Sequence, residues 1–187
     1  FNPQWQTKEL DIFREWCLPD LQDTEYREIT SVLVDAIDKI PKAFMHRDFH
    51  CRNILLCQDD ELGVIDFQGA MHGPVTYDLV SLLRDCYVDN DKQWIVQSVR
   101  SFQQNLQSVG LPYAQVEPDE FLRWFDFAGL QRHLKCVGIF HRLKIRDGKP
   151  EYMNDVPRIL GYIHQVLERH SELETIKQLV EQATLLK

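Results

Sequence analysis

Apolar residues recur three or four positions apart through most of the chain and crowd into short continuous runs in one stretch only. Tyr26, Ile29, Leu33, Ile37 and Ile40 mark one helical face. The pattern predicts helices over Trp5 to Leu18 and Thr24 to Ile40, closed by Pro19 and Pro41. From Ala43 to Gln68 the period shortens: Ala43 to Met45, Ile54 to Cys57 and Leu62 to Ile65 are brief apolar runs between polar loops, which reads as strands. Helical spacing then returns over Thr76 to Tyr87, with Thr76 in the N-cap position, and over Asp91 to Val109 ahead of Gly110. Further helices are expected from Pro118 to about Arg142, from Asp155 to Arg169, and from Ser171 to Leu186, the last opened by Ser171 and Glu174 at capping-box spacing. There is no repeat, low-complexity tract or linker. The expected fold class is α+β, predominantly α-helical, as one domain over residues 1–187 built around a small antiparallel β-hairpin.

Composition narrows the functions. With 187 residues, 44% hydrophobic and 27% charged, the chain can bury one sizeable core. Its net charge of -8 disfavours phosphate backbones and acidic membrane surfaces, so no nucleic-acid or membrane partner is expected. The apolar runs fall far short of the roughly 20 residues that cross a bilayer, and no basic-then-apolar leader opens the chain. Five cysteines, odd in number and without a Cys-x-x-Cys pair, predict reduced thiols and a cytoplasmic protein.

The hairpin carries candidate chemistry. If Gln58 to Glu61 form its turn, Ile54 opposes Ile65, Cys57 opposes Leu62 and Asn53 opposes Asp66, beside the loop that begins with Asp48. One amide oxygen and two carboxylates then converge. Magnesium keeps several waters and takes few protein carboxylates together with substrate phosphates, so this sparse set suits a metal–nucleotide better than calcium. The run His46, Arg47, Asp48, four residues, Asn53 has the spacing of a kinase catalytic loop, and Asp66-Phe67 follows an apolar strand as a second metal-binding Asp does. Phosphoryl transfer asks the protein mainly for positioning and charge stabilisation. Asp48 is therefore the expected base for the attacking hydroxyl, Asn53 and Asp66 the magnesium ligands, and His46 a brace for the loop. Zinc on His46, His50 and Cys51 is discarded, because no second ligand pair stands at a usable spacing.

The segments His46-Arg47-Asp48-Phe49-His50-Cys51-Arg52-Asn53 and Val64-Ile65-Asp66-Phe67-Gln68 resemble the aminoglycoside phosphotransferase and choline kinase family of the kinase-like fold. His50 and Gln68 replace the lysine and glycine usual in protein kinases. Tyr77-Asp78-Leu79 resembles the family's helix-opening Asp that supports the catalytic loop, which implies a supporting role for Asp78 alongside His46 and Arg47. Asp66 to Asp85, Gly129 to Lys135, Gly138-Ile139-Phe140 and Arg146 to Lys149 resemble the cell-wall-recycling sugar kinases, which phosphorylate the anomeric hydroxyl of N-acetylmuramate and N-acetylglucosamine. The resemblance implies ATP and magnesium as cofactors, a small-molecule acceptor, and acceptor contacts from His50, Arg52 and Gln68.

Between Glu117 and Pro150, where that family builds its acceptor pocket, seven Lys and Arg stand against five Asp and Glu in an otherwise acidic chain. That balance suits a neutral or carboxylate-bearing sugar better than a polycation, and adds Arg132, His133 and Lys135 as acceptor-binding candidates. Trp124, Phe125, Phe127 and Phe140 read as core. The resemblance also implies an amino-terminal β-rich lobe with a phosphate-binding lysine. No strand pattern precedes Ala43, so the chain is expected to be the carboxy-terminal catalytic and acceptor-binding lobe of a longer two-lobe enzyme, inactive alone. Competing readings are an aminoglycoside, choline or homoserine phosphotransferase, and a non-catalytic nucleotide-binding relative.

Overall fold

Caps and breakers in the sequence set the helix ends. In a computed structural model that describes residues 1–185, α1 spans Pro3–Cys17. Asn2 caps it by accepting from the Trp5 amide at 2.9 Å, and Pro3 stands where its missing N–H matters least. α2 spans Asp23–Asp38, with Asp23 and Glu25 in its first turn, where the helix dipole favours acids. α3 is short, Tyr77–Leu83. α4, Lys92–Ser108, is capped by Asp91, whose side chain accepts from the Gln93 and Trp94 amides at 2.9 Å. α5 runs over Pro118–Asp147, α6 over Val156–Arg169 and α7 over Glu174–Leu185.

Four strands form two separate antiparallel pairs. β1, Lys42–Met45, pairs with β4, Met71–Pro74, in the register Ala43 to Gly73 and Met45 to Met71. Between them in sequence lies the hairpin of β2, Ile54–Leu56, and β3, Leu62–Val64. The predicted hairpin exists, but its register is one residue from the expected one: Ile54 opposes Val64, and the Ile65 amide donates to the Asn53 carbonyl at 3.1 Å. Asn53 therefore does not sit opposite Asp66. The cause is the turn, in which Cys57 N donates to Glu61 O at 2.8 Å around a 3-10 segment, Gln58–Asp60. An odd number of residues closes because Asp59 and Asp60 take left-handed backbone (φ 61° and 59°), which Asp tolerates better than most side chains.

β4 was not expected at all. Gly73 and Pro74 are weak strand formers, and only pairing with β1 makes them one. Two cap readings also change. Thr76 precedes α3, but its hydroxyl donates to the Trp124 carbonyl at 3.1 Å and does not cap the helix. Ser171 lies in a 3-10 turn, Ser171–Leu173, so α7 begins at Glu174; the predicted end at Leu186 falls outside the described residues. α5 outlasts its expected end at Arg142. Exposed Ile145 breaks the apolar period without breaking the helix, and Gly148, at φ 64°, supplies the left-handed stop.

Two compact units result, one made of Phe1 with Ile40–Gly129, the other of Asn2–Lys39 with the chain from Leu130 onward. In the first, Met45, Tyr77 and Ala128 form a buried cluster with Phe1 and Met71 against it. Arg84 and Asp126 form a buried ion pair at 2.9 Å, with the guanidinium over the Phe125 ring. Trp124, Phe125 and Phe127 are buried in this unit and Phe140 in the other, as read from the sequence. In the second unit, Leu10, Phe13, Leu33, Ile163 and Val180 are core. Tyr26 donates to the Leu10 carbonyl at 2.9 Å, and burial holds its phenol well above its ordinary pKa.

Gly138 marks the tightest approach there: a Cβ on it would lie 2.6 Å from the Ile12 carbonyl oxygen of α1. Overpacking of this kind costs about 1 to 3 kcal/mol, against a gain of about 1 kcal/mol from replacing glycine within a helix. Gly138→Ala should therefore destabilise by up to about 2 kcal/mol in urea denaturation; a stabilised variant would show that α1 shifts freely.

Candidate active site

The catalytic-loop residues lie between β1 and β2, and the first unit holds the loop at several points. Arg47 adopts left-handed backbone (φ 77°), a conformation that costs a non-glycine residue about 1 to 2 kcal/mol. The carboxylate of Asp78, in the first turn of α3, offsets that cost. Its Oδ2 accepts from the His46 amide at 2.6 Å and its Oδ1 from the Arg47 amide at 3.0 Å. Arg47 also donates Nη1 to the Gly69 carbonyl at 3.2 Å. His46 is buried, with Nε2 3.0 Å from the Ile65 carbonyl; a carbonyl only accepts, so the proton is on Nε2. The loop is thereby tied to the exit of β3.

Asp48 follows these anchors and differs from its neighbours. Its backbone carbonyl accepts from the His50 amide at 3.1 Å and from Asn53 Nδ2 at 2.9 Å, whereas its carboxylate takes no hydrogen bond or ion pair among the described residues. A half-buried carboxylate without an internal partner, on a loop fixed on both sides, is suited to accept a proton from a ligand. Because Asn53 gives its amide nitrogen to Asp48, its Oδ1 is the atom directed to a ligand.

Asp66 stands just past β3 in left-handed backbone (φ 66°), and Gln68 Nε2 donates to its Oδ1. Asn53 Oδ1 and the exposed Asp66 carboxylate are hard oxygen donors at the hairpin's end, which fits magnesium with phosphate and water completing its shell. Among the described residues no group of three or more His, Cys, Asp or Glu could hold a metal ion.

The rear of the loop is held too. Asp85, just past α3, accepts from the Cys51 amide through Oδ2 and from the Tyr87 amide through Oδ1, both at 2.8 Å. The Tyr87 ring carries the Arg52 guanidinium over it at 3.5 Å and meets His50 edge-on at 5.5 Å. Burial, and then hydrogen bonding to Asp85, push the Cys51 thiol up to about 11, so it is protonated at neutral pH and serves neither as nucleophile nor as thiolate ligand. Asp85 and Tyr87 were absent from the sequence-derived candidates. The available signal was that Asp85 stands seven residues after Asp78, two helical turns on.

Nine of the twelve candidates, His46, Arg47, Asp48, His50, Arg52, Asn53, Asp66, Gln68 and Asp78, belong to the first unit. Arg132, His133 and Lys135 lie on α5 in the second, 3%, 0% and 6% exposed. Lys135 pairs with Glu9 at 3.4 Å, Gln131 donates to the same carboxylate at 3.1 Å, and His133 stacks on Tyr162. These contacts tie Lys135 and His133 to neighbours inside their own unit. A cavity of about 370 Å³ borders the loop, walled mostly by apolar side chains such as Phe49, Leu79, Leu82 and Phe102. Its Asp78 already serves two amides, which leaves little to hold a polyhydroxyl acceptor there.

The model of the phosphotransferase enzyme family matches residues 1–112. The N-acetylmuramate/N-acetylglucosamine kinase of Neisseria meningitidis serogroup B is 36% identical over 188 residues, covering 96% of this chain and 56% of that protein. Kinases of the same name from Pseudomonas putida and Pseudomonas aeruginosa are each 36% identical over 181 residues, 92% of this chain and 53% of theirs. The chain thus spans just over half the length of these relatives.

Proposed function

The chain belongs to the phosphotransferase enzyme family, and from that premise we propose that it is the catalytic, carboxy-terminal lobe of an ATP-dependent kinase acting on the anomeric hydroxyl of an amino sugar, N-acetylmuramate or N-acetylglucosamine. The observation that carries this reading is the unpartnered Asp48 carboxylate on a loop otherwise held by hydrogen bonds. Asp48 accepts the proton of the sugar hydroxyl as its oxygen attacks the terminal phosphorus of ATP, the bond from that phosphorus to the bridging oxygen breaks, and ADP leaves. Asn53 Oδ1 and Asp66 would hold magnesium, which when bound neutralises charge on the nucleotide phosphates. Gln68 steadies Asp66, and Arg52 and His50, both in contact with the Tyr87 ring, are basic groups within the same loop as Asp48 and Asn53.

The acceptor assignment rests on the relatives' names and on Arg52 and His50, while Lys135 is held by Glu9 and His133 stacks on Tyr162. The hairpin flank supports a second lobe. Leu56, Leu62 and Phe67 are 72%, 70% and 66% exposed, an apolar surface expected to lie under a β-rich lobe that supplies the remaining nucleotide contacts. No helix among the described residues is long and apolar enough to cross a membrane.

The deciding experiment offers labelled ATP to the full-length protein with N-acetylmuramate, N-acetylglucosamine, kanamycin, choline and homoserine. Phosphate should appear on the anomeric oxygen of the sugars. Transfer to one of the other alcohols would overturn the acceptor assignment, and transfer to none would leave a nucleotide-binding relative without chemistry.

A further inference from the structure

α3 carries a carboxylate at either end of its span. Asp78 stands in its first turn and Asp85 follows just after its C-cap, Arg84. Asp78 takes the first amides of the catalytic loop, His46 and Arg47; Asp85 takes the Cys51 amide at 2.8 Å. The two ends of α3 thus hold the two ends of the loop. Asp85 is 1% exposed, and the helix end is itself fixed, because neighbouring Arg84 is in the buried ion pair with Asp126.

The Cys51 amide opens the 3-10 turn Cys51–Asn53, whose closing bond is Asn53 N to His50 O at 2.9 Å. Whatever fixes Cys51 therefore fixes Asn53, which sends its Nδ2 back to the Asp48 carbonyl. A fully buried carboxylate that satisfies two backbone amides is expensive to desolvate, and is retained where the geometry it sets matters. Given the kinase reading above, we propose that Asp85 is a positioning residue that sets the rear half of the catalytic loop, so that Asn53 presents its oxygen to the magnesium–nucleotide. By holding the Tyr87 amide with its other oxygen, Asp85 also places the ring under Arg52.

The test is Mn²⁺ binding to the full-length protein with a non-hydrolysable ATP analogue and no acceptor, followed by electron paramagnetic resonance. Groups that orient a metal ligand are worth about 10- to 100-fold in metal affinity. Asp85→Ala should weaken Mn²⁺ by at least about tenfold, and Asp85→Asn, which keeps one acceptor oxygen and the side-chain volume, should recover part of the loss. Should the alanine variant not fold, the asparagine variant carries the comparison alone. A folded variant with Mn²⁺ affinity within about twofold of wild type overturns the clamp, provided Asp66→Ala abolishes binding. If wild type binds no Mn²⁺–nucleotide, or Asp66→Ala binds it normally, the site assignment fails and the clamp with it.

Discussion

Replacing Asp48 by alanine in the full-length protein is expected to lower kcat about 10³- to 10⁴-fold while leaving the melting temperature within about 2 °C of wild type. The rate loss is the upper range for removal of a general base. The stability expectation comes from the division of labour within the residue. Its backbone carbonyl holds His50 and Asn53 and survives the substitution, whereas its carboxylate takes no hydrogen bond or ion pair among the described residues. Side chains without structural contacts change stability by at most about 0.5 kcal/mol, about 1 to 2 °C at this size. Asp48→Asn should lose nearly as much rate, because the amide keeps the shape and loses the basicity. Steady-state kinetics beside thermal denaturation separates the outcomes. Unchanged turnover removes Asp48 from its role, and a melting temperature lowered by 5 °C or more means that the carboxylate has a structural partner.

The loop motif was legible in the sequence because its chemistry requires particular side chains at particular spacings. Under the proposed mechanism, Asp48, Asn53 and Asp66 are chosen for their chemistry rather than for their secondary-structure propensity. The hairpin was legible for a different reason, its clustered apolar residues, but not to the residue. Its register depends on Asp59 and Asp60 entering left-handed backbone, and an Asp-Asp pair permits that without announcing it. β4 was hidden because pairing with β1, some thirty positions earlier in the chain, overrides the poor propensity of Gly73 and Pro74.

The burial of the basic residues on α5 was hidden for a related cause. Arg132, His133 and Lys135 look like a surface cluster, yet the partner of Lys135 is Glu9, supplied by a distant helix. Position in the sequence does not reveal such pairing. Asp85 was missed because it acts on backbone amides, and every residue but proline has one. Donors of that kind leave no trace in the partner's identity.

The second large effect is expected at Asp78, and its size distinguishes two roles. An acid in the first turn of a helix gains about 0.3 to 1 kcal/mol from the dipole alone. Asp78 does more, accepting from two backbone amides at 2.6 and 3.0 Å, one of them on a residue in left-handed backbone. Hydrogen bonds to a charged acceptor contribute about 1.5 to 3 kcal/mol each, reduced here because Asp78 is only half-buried and water can reach the amides. Asp78→Ala should therefore cost about 2 to 4 kcal/mol in urea denaturation. It should also lower kcat by at least about tenfold, because Arg47, freed from φ 77°, carries the adjacent Asp48 with it. Asp78→Asn should fall between alanine and wild type in stability, since its carbamoyl group can accept from one amide but turns an N–H toward the other. If alanine costs less than about 1 kcal/mol and leaves kcat unchanged, Asp78 serves only the helix dipole. The loop would then owe its shape to Asp85 and to the link from His46 to β3.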